Sequence, residues 1–109
     1  MMPTSIIEQM GRIAELCARI GVRRLDVFGS ATDGRFDPST SDFDFLVDFA
    51  DRSPGYASRF MDLAEGLEAL LGRPVDLITE ASVVSADVRQ RIERQRRQVY
   101  GPGSRSSAA

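Results

Sequence analysis

The chain has 109 residues, 42% hydrophobic and 28% charged, with a formal net charge of −2. That is the length of one domain and the composition of an ordinary globular protein, and its charge argues against a dedicated nucleic-acid binder. Histidine is absent and cysteine occurs once, at Cys17, which excludes imidazole acid–base chemistry, histidine zinc ligands and an internal disulfide. No run approaches the roughly 18 apolar residues of a membrane span, and no basic-then-apolar leader opens the chain. The expected setting is therefore cytoplasmic, without membrane contact.

Residues 5–20 read as a helix. Ser5 and Glu8 have capping-box spacing, while Ile6, Met10, Ile13, Cys17 and Ile20 recur at helical intervals up to a stop at Gly21. Cys17 on that face is a small buried hydrophobe. A strand over 23–28 runs into Gly29-Ser30, followed by a polar stretch broken by Gly34 and Asp37-Pro38. A second strand is predicted over 42–49. Ser53-Pro54 suits the start of a helix whose apolar face is Phe60, Leu63, Ala64, Leu67 and Leu71, ended by Gly72. "VDLIT" at 75–79 is a short strand, and the spacing predicts a last helix over 85–100 with Val88, Ile92 and Val99 inward. The order α-β-β-α-β-α describes an α/β (α+β) fold, a small mixed sheet backed by helices. One domain is expected over 1–100, with a disordered tail over 101–109.

The second strand carries the chemistry. Phe43, Phe45, Val47 and Phe49 alternate as a half-buried strand requires, yet Asp42, Asp44 and Asp48 occupy the opposite phase. Asp42 and Asp44 share a face about 6.5–7 Å apart, close enough to repel when ionised. A D-x-D on a strand commonly lines a solvated face, and Asp48 reads that way. Asp76, however, is a third acid on the short apolar strand "PVDLI", so three carboxylates converge if the two strands pair. Oxygen-only ligands suit Mg²⁺, which takes one or two protein carboxylates plus substrate phosphates, and two such ions can support an in-line phosphoryl displacement. Gly29-Ser30 alone is an ordinary turn signal. Beside three acids it reads as a phosphate cradle.

Basic charge is concentrated at the end of the chain. All fourteen basic residues are arginine; eight stand against fourteen acids in 1–86, and six against two in 87–109. The run Arg89 to Arg97 has three readings: a solvated helix face, a dock for an acidic protein, or an RNA contact. RNA is disfavoured by the acidic remainder of the chain.

"VFGSATDGRFDPSTSDFDFLVDF" followed by "RPVDLIT" resembles the minimal nucleotidyltransferase (MNT) family, small members of the DNA polymerase β-like nucleotidyltransferase superfamily, over roughly residues 7–100. The resemblance implies that Gly29 and Ser30 hold a nucleoside triphosphate, that Asp42 and Asp44 ligate Mg²⁺, and that Asp76 completes the metal site and helps activate the attacking hydroxyl. It implies transfer of AMP or another nucleotide from an NTP such as ATP, with release of pyrophosphate. It also implies an antitoxin paired with a HEPN ribonuclease toxin, which it neutralises by AMPylation, usually at a tyrosine. Two departures stand out. Family members typically read Gly-Ser-x-Ala-Arg-Gly, whereas residues 29–34 are Gly-Ser-Ala-Thr-Asp-Gly, with Arg35 as a candidate substitute cation. The loop between Ser30 and Asp42 holds eleven residues, one more than the commonest spacing. Asp33 is the feature that favours the alternative, a catalytically silent antitoxin acting by binding and occlusion; the three intact carboxylates favour an enzyme. In either case an exposed sheet edge or helix face would suit assembly with the partner.

Overall fold

The computed structural model describes residues 2–32, 35, 37, 41–50 and 55–102. Helix α1 (Thr4–Ile20) leads into strand β1 (Val22–Phe28), a single 3-10 turn at Gly29–Ala31, and strand β2 (Phe43–Phe49). Helix α2 (Tyr56–Leu71), strand β3 (Val75–Thr79), a second 3-10 turn at Glu80–Ser82, helix α3 (Ala86–Gln95) and strand β4 (Arg97–Tyr100) follow. The sheet order is β3-β2-β1-β4; β2 and β3 are parallel and the other neighbours antiparallel. This is the small mixed sheet with helices expected from the sequence, extended by one strand.

Local chemistry explains the element boundaries. Gly21 adopts φ 91° and returns its N–H to the Cys17 carbonyl at 3.0 Å, closing α1 and turning the chain straight into β1. At the other end the Ser5–Glu8 box does not form. The helix already begins at Thr4, and the Pro3 carbonyl accepts the N–H groups of Ile6 and Ile7 at 3.1 and 3.2 Å. Helix α2 closes at Gly72 as expected. The expected helix start at Ser53-Pro54, together with Asp33, Gly34, Pro38 and residues 103–109, lies outside the described residues.

The core lies between one sheet face and the α1–α2 pair. Ile6, Ile13 and Cys17 from α1 and Leu63 and Leu67 from α2 are fully buried against Leu25, Val27, Phe43, Phe45 and Val47. Each such side chain contributes roughly 1.5–3 kcal/mol of apolar burial. Burial also pushes the Cys17 thiol up to about 12, so it serves as an inert packing group. In β1 the pairing register shifts between Val22 and Arg24, and this bulge lets Val22 and Leu25, three apart, both enter the core.

The last element differs from the sequence expectation. Helix α3 stops at Gln95, Arg96 takes up an extended conformation (φ −65°, ψ 139°), and 97–100 becomes an edge strand on β1. The physical reason is tertiary. Arg96 is drawn into an ion pair with Asp26, which is 0% exposed on the sheet face opposite the main core. Gln98 then pairs beside Asp26, and Val99 turns into the core. No helix among the described residues is long and apolar enough to cross a membrane.

Candidate active site

The strand register brings two of the three acids together. In the parallel β2–β3 ladder, Asp44 stands directly opposite Asp76, with backbones about 4.8 Å apart. Asp42 immediately precedes β2, is exposed, and has the Arg73 guanidinium 3.7 Å from its carboxylate. Asp76 is likewise exposed, whereas Asp44 is half-buried between them. Burial first, then the charges of Asp76 and Asp42, raises the Asp44 carboxyl above the usual carboxylate range. Three acids in mutual repulsion form an oxygen-rich edge that a cation would relieve. Among the described residues they do not form a closed three-acid cage for a metal ion. The donor chemistry fits Mg²⁺, a hard ion that takes few protein carboxylates and completes its shell with water and phosphate oxygens.

Across the sheet, Phe28 of β1 pairs with Asp44, so the chain leaving β1 must turn directly over that carboxylate. Gly29 makes this turn at φ +76°, and a Cβ there would run into Asp44 Oδ2. The turn is tightened by Thr32, whose N–H and hydroxyl both donate to the Gly29 carbonyl at 3.0 Å. A cavity of about 450 Å³ opens in front of the turn. Gly29, Ser30 and Asp44 line it together with Arg35 and with Arg91 and Gln95 of α3. Gly29, Ser30 and Asp44 therefore meet in one cavity. Asp42 and Asp76 stand beside Asp44 rather than in that cavity's lining.

Several groups around the site have no obvious signal in the sequence. The Gln95 side-chain oxygen accepts the Gly29 N–H at 3.2 Å, joining α3 to the turn. Arg96 is bound to Asp26 and also pairs with Glu80 and Glu93 at 2.8 Å each. Burial opposes the charge on Arg96, but hydrogen bonds to Glu80 and Asp26 outweigh it and keep the guanidinium protonated. Arg89 donates to the Glu80 and Val83 carbonyls at 3.1 and 2.9 Å. Two members of the arginine run thus bind inward, so the run is not a uniform solvated stripe. Asp48, read as a solvated acid, pairs at the surface with Arg23, whose Nε lies 2.7 Å away. Only helical spacing (Arg91 and Gln95 are four apart) could have linked the cavity groups of α3 in advance.

A strand-mounted acid pair facing a glycine–serine turn is an arrangement suited to phosphoryl chemistry, and comparison with known proteins agrees. The nucleotidyltransferase domain family model matches residues 11–100, and the chain belongs to that family. A protein adenylyltransferase, MntA, of Thermococcus cleftensis is 46% identical over 71 residues, covering 65% of this chain and 69% of the relative. A solved structure given provisionally as a minimal nucleotidyltransferase superposes with a TM-score of 0.72 at 30% identity, covering 89% of this chain and 95% of its own. The fold also matches, with a TM-score of 0.62 at 22% identity, a structure of a tri-AMPylated Shewanella oneidensis HEPN toxin in complex with an MNT antitoxin; coverage is 94% of this chain and 78% of that one.

Proposed function

We propose that this nucleotidyltransferase moves AMP from ATP to a hydroxyl of a protein, a HEPN-type toxin, and so acts as the antitoxin of a cytoplasmic pair. The observation that carries the reading is Asp44, crowded by Asp76 and Asp42, directly against the Gly29 turn and lining one cavity with Gly29 and Ser30. The name of the 46% identical relative supports a protein acceptor.

In this reading Gly29 and Ser30 bind the triphosphate through backbone N–H groups and the hydroxyl. Asp42, Asp44 and Asp76 hold Mg²⁺, which when bound supplies positive charge against the triphosphate and the departing pyrophosphate. Asp76 lies on the exposed side of the acid group, where an acceptor hydroxyl arrives, and takes its proton. The hydroxyl oxygen forms a bond to the α-phosphorus as the bond from that phosphorus to the bridging oxygen breaks. Pyrophosphate leaves, and the acceptor keeps the AMP.

The test is intact-mass analysis of a HEPN toxin after incubation with the protein, ATP and Mg²⁺. Mass increments of AMP are expected on the toxin, absent with EDTA and with the Asp42→Ala/Asp44→Ala double variant. A stable complex without any adduct would instead establish an occluding, catalytically silent antitoxin. The same assay checks Gly29→Ala. Its Cβ both strains the positive φ and displaces the Asp44 carboxylate, so transfer should fall about a hundredfold, as misplacement near 1 Å does. The melting temperature should drop only by the equivalent of about 1 kcal/mol.

A further inference from the structure

Arg91 sits four residues before Gln95, so the two side chains share one face of α3. Gln95 accepts the Gly29 N–H, which aims that face at the glycine–serine turn. Ile92, 3% exposed, anchors the adjoining face, and Arg96 locks the end of the helix to Asp26, Glu80 and Glu93. The helix is thus held firmly, and it presents Arg91 about 6 Å along the axis from Gln95. There Arg91 lines the cavity that also holds Ser30 and Asp44.

Its partners set it apart from the neighbouring arginines. Arg89 is spent on backbone carbonyls and Arg96 on three carboxylates. Arg35, the other cation of the cavity, already has an interaction within the chain. Arg91 has no hydrogen bond or ion pair among the described residues. An exposed guanidinium lining that cavity, with no partner among the described residues, is equipped for an anion brought from outside.

We propose that Arg91, from α3, anchors the β- and γ-phosphates of the bound nucleotide in the cavity it lines with Gly29 and Ser30. The assignment rests on the nucleotidyl-transfer reading and adds the residue that recognises the phosphate tail. Because the tail departs as pyrophosphate, such a contact holds substrate and transition state alike and acts mainly on KM.

The experiment measures ATP and AMP binding by calorimetry with Mg²⁺, and KM and kcat for ATP in toxin modification. Wild type is compared with Arg91→Ala, Arg91→Lys and Arg94→Ala. Arg91→Ala should weaken ATP binding and raise KM about tenfold, the loss typical of a charge-assisted hydrogen bond, while kcat stays within about twofold. AMP affinity should not change. Arg91→Lys should recover part of the loss, and Arg94→Ala, which removes the same charge elsewhere on the helix, should match wild type. Unchanged ATP affinity in Arg91→Ala overturns the assignment, as does an equal loss for AMP or from Arg94→Ala. A wild type that binds no ATP overturns the nucleotidyl-transfer reading and this assignment with it; a wild type that binds ATP with Arg91→Ala equal to it overturns the assignment alone.

Discussion

Asp44→Asn is expected to abolish nucleotide transfer, by on the order of a thousandfold or more, and at the same time to raise the melting temperature at pH 7. The two effects have one cause. Asp44 is half-buried and faces the charges of Asp76 and Asp42, so its carboxyl titrates above the usual range. A folded state that holds this proton more tightly than the unfolded chain loses stability as pH rises from the ordinary carboxylate value, about 4, through the raised one. Above that window the wild type carries the full penalty of an ionised Asp44. Asparagine keeps the shape and carries no charge. Its advantage should therefore be complete at pH 7 and vanish below pH of about 4. Melting curves across pH without Mg²⁺, paired with the mass assay, check both halves. An Asp44→Asn variant that still transfers AMP, or that melts below wild type at pH 7, would contradict the role given to this carboxylate.

The largest loss of stability is expected from Arg96→Ala. Asp26 is 0% exposed and keeps only Arg24, its part-buried neighbour, once Arg96 is gone. Glu80 and Glu93 lose their closest cation in the same step. Removing one side of a buried ion pair costs about 3–5 kcal/mol, and with Arg24 remaining the lower end, about 3 kcal/mol, is expected in urea denaturation. Replacing the pair together, Asp26→Leu with Arg96→Met, should recover most of that loss, because the desolvation penalty disappears with both charges. A single-variant loss under about 1 kcal/mol would mean that the cluster behaves like a surface pair.

The contrast between these residues explains how much was legible in the sequence. Asp42, Asp44 and Asp76 stand out because each takes the polar phase in or beside a short apolar strand, and Gly29 because a turn must follow a strand. Gly21 and Gly72 end their helices through purely local backbone preferences. The boundary between α3 and β4 has no such local mark. Residues 94–97, Arg-Gln-Arg-Arg, favour a helix, and only the capture of Arg96 by Asp26, seventy positions earlier, pulls the chain extended. Arg91 and Gln95 were hidden for the same reason: their roles depend on where α3 docks, which is settled by that pair. The acids of the site were readable because their meaning lies in their own strands, and the cations were not because theirs lies in packing.

Three contacts gather where β3 begins. Phe43 donates its N–H to the Pro74 carbonyl at 3.1 Å, Arg73 holds the Ser41 carbonyl at 3.0 Å, and the Glu68 carboxylate accepts the Val75 N–H at 3.0 Å. Sliding β3 by two residues would keep every apolar side chain on its proper face and would carry Asp76 some 6.5–7 Å away from Asp44, easing their repulsion. Hydrophobic packing is thus blind to the difference between a competent and a dead alignment, and electrostatics prefers the dead one. These pins act as a detent that keeps the ratchet of the parallel pair on its higher-energy notch. Arg73 and Glu68 therefore help to fix where the carboxylates stand, although neither side chain lines the cavity.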